Sequence, residues 1–286
     1  MADATSIEWA DATWNPVTGC TKVSAGCQHC YAERLMPRLR QKFTDVVLHW
    51  DRVDKPLHWK KPRHIFVNSM ADLFHEKVPV EFLDTCFGVM AICCQHTFMI
   101  LTKRPERAVS YIDEVNALNG IPNFPTWNVW LGVSVENQAT ADERIPVLLK
   151  THATVRFVSY EPALGPVSFS RYLQSAPKGA PSRIDWLIAG GESGPNARPP
   201  HRAWFRSVRD ECQEAGVPFF FKQWGEWRPK GVCFAPPSRC RWVFFNETSR
   251  DESSFPISVL MERVGKKRAG RLLDGREWNE VPDASK

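Results

Sequence analysis

Three cysteines stand close together near the start of the chain, in the segment WNPVTGCTKVSAGCQHCYAERL: Cys20, Cys27 and Cys30, spaced C-x6-C-x2-C. A C-x2-C pair brings two sulfurs to the same side of one short turn, and the third returns from an arm made pliable by Gly19 and Gly26. A closed structural zinc site takes four protein ligands. An iron-sulfur cubane held by three leaves one iron open to an exogenous group, so three sulfurs favour a [4Fe-4S] cluster. Zinc stays open as the alternative, with His29, Cys233 or Cys240 as fourth ligand, although His29 lies between two ligands in a tight turn and does not easily converge on the same ion. Cys86, Cys93, Cys94 and Cys212 fall in apolar helical stretches and read as buried small thiols. Nine cysteines in 286 residues, an odd number and with no secretion signal, point to a reducing compartment rather than a disulfide scaffold.

The elements that must position these thiols follow from the hydrophobic pattern. Short apolar, β-rich runs at 6–10, 64–68, 97–101, 129–135, 155–159, 186–189 and 218–221 alternate with amphipathic stretches at 31–42, 80–95, 105–118, 139–150 and 201–215. Pro79 and Pro105 suit helix starts, and Gly216 suits a helix end. The alternation, without a dinucleotide fingerprint after the first strand, predicts an α/β fold: a partial (β/α) TIM-like barrel of about six to seven βα units over residues 1–230. The cysteine loop, 19–31, follows its first strand. Residues 231–286 read as a C-terminal extension with a short basic helix and a turn at Asp274 and Gly275. Stretches 165–183 and 231–256, rich in Pro, Ser and Arg, read as surface insertions.

Each apolar run ends in polar residues: Asn68, Ser69 and Asp72; Thr102, Lys103 and Arg104; Ser134, Glu136 and Asn137; Ser159, Tyr160 and Glu161; Gly190, Gly191, Glu192 and Ser193; Lys222, Gln223 and Trp224. In a barrel such ends meet at one mouth, where these folds place their chemistry. A metal-independent enzyme using Glu161, Glu192 and Lys222 as acid and base is therefore a further reading, and Lys103, Glu161 and Lys222 are the candidate catalytic groups.

The loop resembles the cluster-binding loop of radical S-adenosylmethionine enzymes, which reads C-x3-C-x2-C after the first barrel strand, with an aromatic residue before the last cysteine. Here the ligands would be Cys20, Cys27 and Cys30, with His29 in the aromatic position and a longer first spacer. The resemblance implies a barrel of radical S-adenosylmethionine type, with S-adenosylmethionine chelating the open iron. It also implies a reducing electron donor and release of a 5'-deoxyadenosyl radical. It makes His29 and Tyr31 cofactor contacts beside Cys30. Gly190-Gly191-Glu192 resembles the turn that receives the methionine amino group, although it follows about the sixth strand and not the second. Lys103 or Arg104 would pair the methionine carboxylate, and Ser134 or Glu136 the ribose hydroxyls. Over nearly its whole length the chain more closely resembles a phage- and prophage-associated family of unknown function, through WNPVTGC, CYAERL, LTKRPER, VSYEPALGP, GGESG, FFFKQWGEW and VGKKRAGRLLDGREW. That resemblance implies a three-Cys-motif protein as a partner.

With 37 basic and 32 acidic residues the formal charge is +5, and 12 tryptophans include Trp224 and Trp227 in a segment, 222–228, that reads as exposed, beside Lys222 and Arg228. Together with Lys266, Lys267 and Arg268 they favour DNA or RNA, to be repaired or modified, as the substrate. A non-catalytic zinc or iron-sulfur module that binds nucleic acid or a partner is the competing class. The absence of a long apolar run and of a leader predicts a cytoplasmic protein that engages no membrane.

Overall fold

The computed structural model describes residues 5, 7–119, 127–174, 183–230, 238–245 and 258–283. Cys233 lies outside them. Strand β1 (Ala12–Trp14) is followed by a two-stranded antiparallel ribbon, β2 (Val17–Thr18) with β3 (Val47–Leu48), and between these two strands lie the cysteine loop and helix α1 (Tyr31–Leu35). The chain then winds through β4 (His64–Val67), α2 (Val80–Ile92), β5 (Thr97–Thr102), α3 (Pro105–Asn119), β6 (Val129–Val135), α4 (Gln138–Leu148) and β7 (Val155–Tyr160). A one-turn helix α5 (Ser170–Leu173), β8 (Trp186–Gly190), α6 (Arg202–Ala215) and β9 (Phe219–Gln223) complete the winding. The seven-stranded sheet has the order β1-β4-β5-β6-β7-β8-β9. That sequential parallel order, with helices between strands, is a partial (β/α) barrel. Every residue of β6 and β8 is buried, as strands covered on both faces require.

Two compact units divide the chain: residues 1–134 with 144–157, and residues 135–143 with 158–286. The second unit also holds a three-stranded antiparallel sheet of β10 (Trp227–Pro229), β11 (Cys240–Phe244) and β12 (Ser258–Arg263), in the order β10-β12-β11. A single helical turn, α7 (Lys266–Ala269), supplies the basic helix, and Asp274 and Gly275 take the left-handed conformations of the expected turn. Residues 278–280 cover the outer edge of β9, where Phe221 N–H donates to the Trp278 carbonyl at 2.9 Å and Glu280 N–H to that of Phe219 at 3.3 Å. Among the described residues no helix is long and apolar enough to cross a membrane.

Three expectations change. The first strand is not at 6–10: Ile7 to Ala10 form a turn, closed by Ala10 N–H to the Ile7 carbonyl at 3.1 Å. Trp9 is buried edge-on against Phe66 at 4.7 Å, so the apolar alternation reports packing and not pairing. The helix expected to reach residue 42 stops at Leu35 and tightens into a 3-10 turn, because Pro37 has no N–H to continue it; Arg40 then ends it with φ 53°. Cys94 is exposed, unlike the buried Cys86, Cys93 and Cys212. Burial pushes the Cys86 thiol up to about 12, as expected of an inert core sulfur.

Beyond β8 and β9 two backbone segments touch. A Cβ on Gly191 would lie 2.1 Å from the Trp224 carbonyl oxygen, and one on Gly225 2.1 Å from that of Glu192. Gly191→Ala is therefore expected to destabilise the full-length chain by about 3 kcal/mol in urea titration, since a backbone carbonyl cannot step aside as a side chain can.

Candidate metal centre

The cysteine loop is held at its base by close backbone approach. Gly19 has φ 87°, and a Cβ there would sit 2.0 Å from the Asp45 carbonyl oxygen. Cys20 N–H donates to the Phe43 carbonyl at 2.7 Å. Cys27 closes a 3-10 turn (Ala25–Cys27), and Cys30 is the residue preceding α1, with no capping hydrogen bond from its side chain. The three thiols are half-buried and none is in a disulfide. Lys22 and Glu33 pair at 2.8 Å across the loop, and the Tyr31 hydroxyl donates to the Ser69 carbonyl.

Beneath Cys20 lies a polar hub that joins two of the strand ends expected to meet, those after β4 and β5. The carboxylate of the buried Asp72 accepts hydrogen bonds from Phe74 N–H (3.0 Å), Thr102 Oγ1 (2.8 Å), Lys103 N–H (3.0 Å) and Arg104 Nη1 (3.2 Å). The Arg104 guanidinium also donates to Glu76 at 3.2 Å, to the Thr21 hydroxyl at 2.7 Å and carbonyl at 3.4 Å, and to Cys20 Sγ at 3.7 Å. His75 Nε2 meets the Thr21 hydroxyl at 2.9 Å. Arg104 thus locks the loop to the ends of β4 and β5, and its fork is occupied by protein groups. Thr21, His75 and Glu76 were missed; the D-x-x-H-E run after β4 was the trace of the last two, and Thr21 stood unremarked beside Cys20.

Charge around the sulfurs is uneven. Burial pushes the Cys20 thiol up, reinforced by Asp72 and opposed by Arg104. Burial acts the same way on Cys27, but the Lys103 ammonium and hydrogen bonds at Val23 and Ser24 outweigh it, and that thiol lies below its ordinary value. Among the described residues no three His, Cys, Asp or Glu side chains are drawn together closely enough to hold an ion. The donor set nevertheless fits a thiolate-ligated cluster in type and number: three unpaired, accessible sulfurs on one anchored loop, with a cation beside two of them.

The remaining candidates have defined surroundings. Ser134 is buried, and its carbonyl accepts Arg144 Nη1 at 2.8 Å. In the second unit Glu136 is fully buried, with its N–H donating to Thr140 Oγ1 at 2.9 Å. Lys222 Nζ lies 3.0 Å from both oxygens of Glu161, and Gln223 Nε2 reaches the same carboxylate at 3.5 Å. Gly190 leaves room for it, since a Cβ would stand 3.3 Å from the Glu161 carboxyl carbon. Glu192 is engaged by Arg198 through Nε at 2.9 Å, Nη2 at 2.6 Å and the backbone N–H at 2.8 Å, so its charge is already answered by protein. Gly191 faces the Trp224 backbone. Cys240 is on β11, opposite Glu262. Trp224 and Trp227 are buried, correcting the expectation of an exposed Trp-Arg segment there: their indole N–H groups donate to the Leu272 and Ala197 carbonyls at 2.9 and 2.7 Å.

Residues 4–282 match the family model described as "Protein of unknown function (DUF5131)". No curated protein matches the chain. Among solved structures, a cysteine-to-serine mutant of spore photoproduct lyase superposes with a TM-score of 0.44 at 10% identity, over 89% of this chain and 69% of that one.

Proposed function

We propose that this chain, which belongs to the DUF5131 family of proteins of unknown function, is an enzyme that holds a [4Fe-4S] cluster through Cys20, Cys27 and Cys30, uses it with S-adenosylmethionine, and acts on nucleic acid. The observation that carries the reading is the loop itself: three unpaired, accessible thiols, anchored through Gly19 and Arg104, with Lys103 and Arg104 supplying positive charge beside two of them. Three protein ligands, and no more from the loop than these, suit a cluster whose fourth iron takes an exogenous chelate. When bound, such a centre would supply one electron for reductive cleavage of S-adenosylmethionine to methionine and a 5'-deoxyadenosyl radical.

The chain's own residues have separate tasks in this reading. Arg104 is a positioning residue: it fixes Thr21 and Cys20 through the bonds already described. Lys103 keeps cationic charge near Cys27. Glu161 and Lys222, an ion pair with Nζ 3.0 Å from both carboxylate oxygens, are the acid and base offered to a substrate. The partners it calls for are a one-electron donor, DNA or RNA, and a three-Cys-motif protein.

The test is anaerobic reconstitution with iron and sulfide, reduction with dithionite in the presence of S-adenosylmethionine, and chromatography for 5'-deoxyadenosine. The nucleoside is expected with the wild type and not with Cys27→Ala. A reconstituted wild type that retains its iron and forms none would sink the radical chemistry.

A further inference from the structure

The bare aromatic rings of the three-stranded sheet are not beside Lys222 but on β11, where Trp242 and Phe244 are 49% and 57% exposed. Two residues apart on one strand, they share a face and stand about 7 Å from each other. The antiparallel register puts Trp242 opposite Leu260 and Phe244 opposite Ser258, with Cys240 opposite Glu262 and Glu262 in turn opposite Arg228. Residues directly opposite share a face, so Arg228, Glu262, Trp242 and Phe244 lie on one side. The other side is the core: Arg241, opposite Met261, covers the buried Trp227 ring at 5.8 Å.

Glu262 is 5% exposed and meets three cations: Arg228 at 3.3 Å, Lys230 at 3.4 Å and Arg239 at 2.7 Å. A single carboxylate cannot neutralise them, so this face keeps positive charge next to its rings. The charge extends further, because Arg228 also lines a cleft of about 280 Å³ with Arg202, Arg206 and Asp274. The platform is fixed in place: Trp204 Nε1 donates to the Phe245 carbonyl at 2.9 Å, and the His201 ring packs edge-on against Phe245 at 5.7 Å.

We propose that the β10-β12-β11 face, through Trp242, Phe244, Arg228, Lys230 and Arg239, binds single-stranded nucleic acid, with bases stacked on the two rings and phosphates on the cations. Charge chooses this occupant over an apolar protein partner, and the spaced rings choose unpaired bases over a duplex, whose bases are already stacked. The inference deepens the nucleic-acid part of the function proposed above and is independent of the cluster.

The experiment is fluorescence anisotropy of a labelled oligo-dT, and of a duplex of equal length, with the full chain before iron or cofactor is added. A failed cluster therefore leaves the readout intact. The single strand is expected to bind more tightly than the duplex, and raised salt to weaken it. Trp242→Ala and Phe244→Ala should each weaken it about tenfold, while Trp242→Phe, which keeps a ring, stays near the wild type. Arg239→Gln should lower both the affinity and its salt dependence. No saturable binding by the wild type, equal affinity for duplex, or unchanged affinity in the doubly substituted variant overturns the proposal. Unchanged oligo-dT binding with lost self-association would instead assign the face to a second copy of the chain.

Discussion

Cys30→Ala is expected to abolish cluster assembly, dropping reconstituted iron from about four per chain to below one and removing the brown colour. The argument rests on how little else that thiol does. Cys30 is half-buried at the start of α1, and its side chain makes no capping hydrogen bond. Truncation should therefore cost less than about 1 kcal/mol of stability, and far-ultraviolet circular dichroism should not change. Cys94→Ala is the matched control: an exposed thiol just beyond α2, outside the loop, whose loss should leave iron content at the wild-type level. His29→Ala separates the two metals considered for the loop. Retention of the cluster is expected if three sulfurs suffice, whereas a tetrahedral ion that needs the imidazole would be lost. Full iron content in Cys30→Ala would remove that sulfur from the ligand set and, with it, the proposed enzyme.

Much of the fold could be read along the chain because each inner strand is a short apolar run, as in VWLGVSV of β6 and WLIAG of β8, bounded by polar turns. The exceptions have physical causes. Strand β1 has only three residues, and its identity comes from pairing Ala12 with Ile65 across more than fifty positions, which no local pattern records. β11 and β12 lie in or beside a Pro-, Ser- and Arg-rich stretch whose composition resembles a loop; antiparallel pairing of Trp242 with Leu260 makes it a sheet. The donor cysteines were legible from spacing alone. Their support was not, since Arg104 reaches Thr21 from 83 positions away. Ring exposure was also hidden: Trp224 lies beside Lys222 and Gln223 yet is buried under Leu272, and Trp242 lies in an ordinary-looking segment yet is bare.

Asp72→Ala is expected to destabilise the chain by about 3–5 kcal/mol, because it removes one partner of a buried ion pair and strands the other. The Arg104 side chain is 12% exposed and Asp72 8%, so water cannot readily replace the lost carboxylate. Glu76, 60% exposed, offers Arg104 only a weaker second anchor. The deletion also orphans two backbone donors, Phe74 N–H and Lys103 N–H, along with the Thr102 hydroxyl. Asp72→Asn does not rescue it: the amide can replace one acceptor oxygen, but its NH2 must then face Lys103 N–H and Arg104 Nη1, or else Phe74 N–H and Thr102 Oγ1. Arg104→Lys keeps the charge but loses the fork that reaches Asp72, Glu76 and Thr21 together, and a smaller loss of about 1–2 kcal/mol is expected. Urea titration of the full chain measures all three. Because Arg104 also donates to Cys20 Sγ and Thr21, iron content per folded molecule should fall in the same order. A stability change below about 1 kcal/mol for Asp72→Ala would mean that the loop is held from elsewhere, and the hub would then have no claim on the thiols above it.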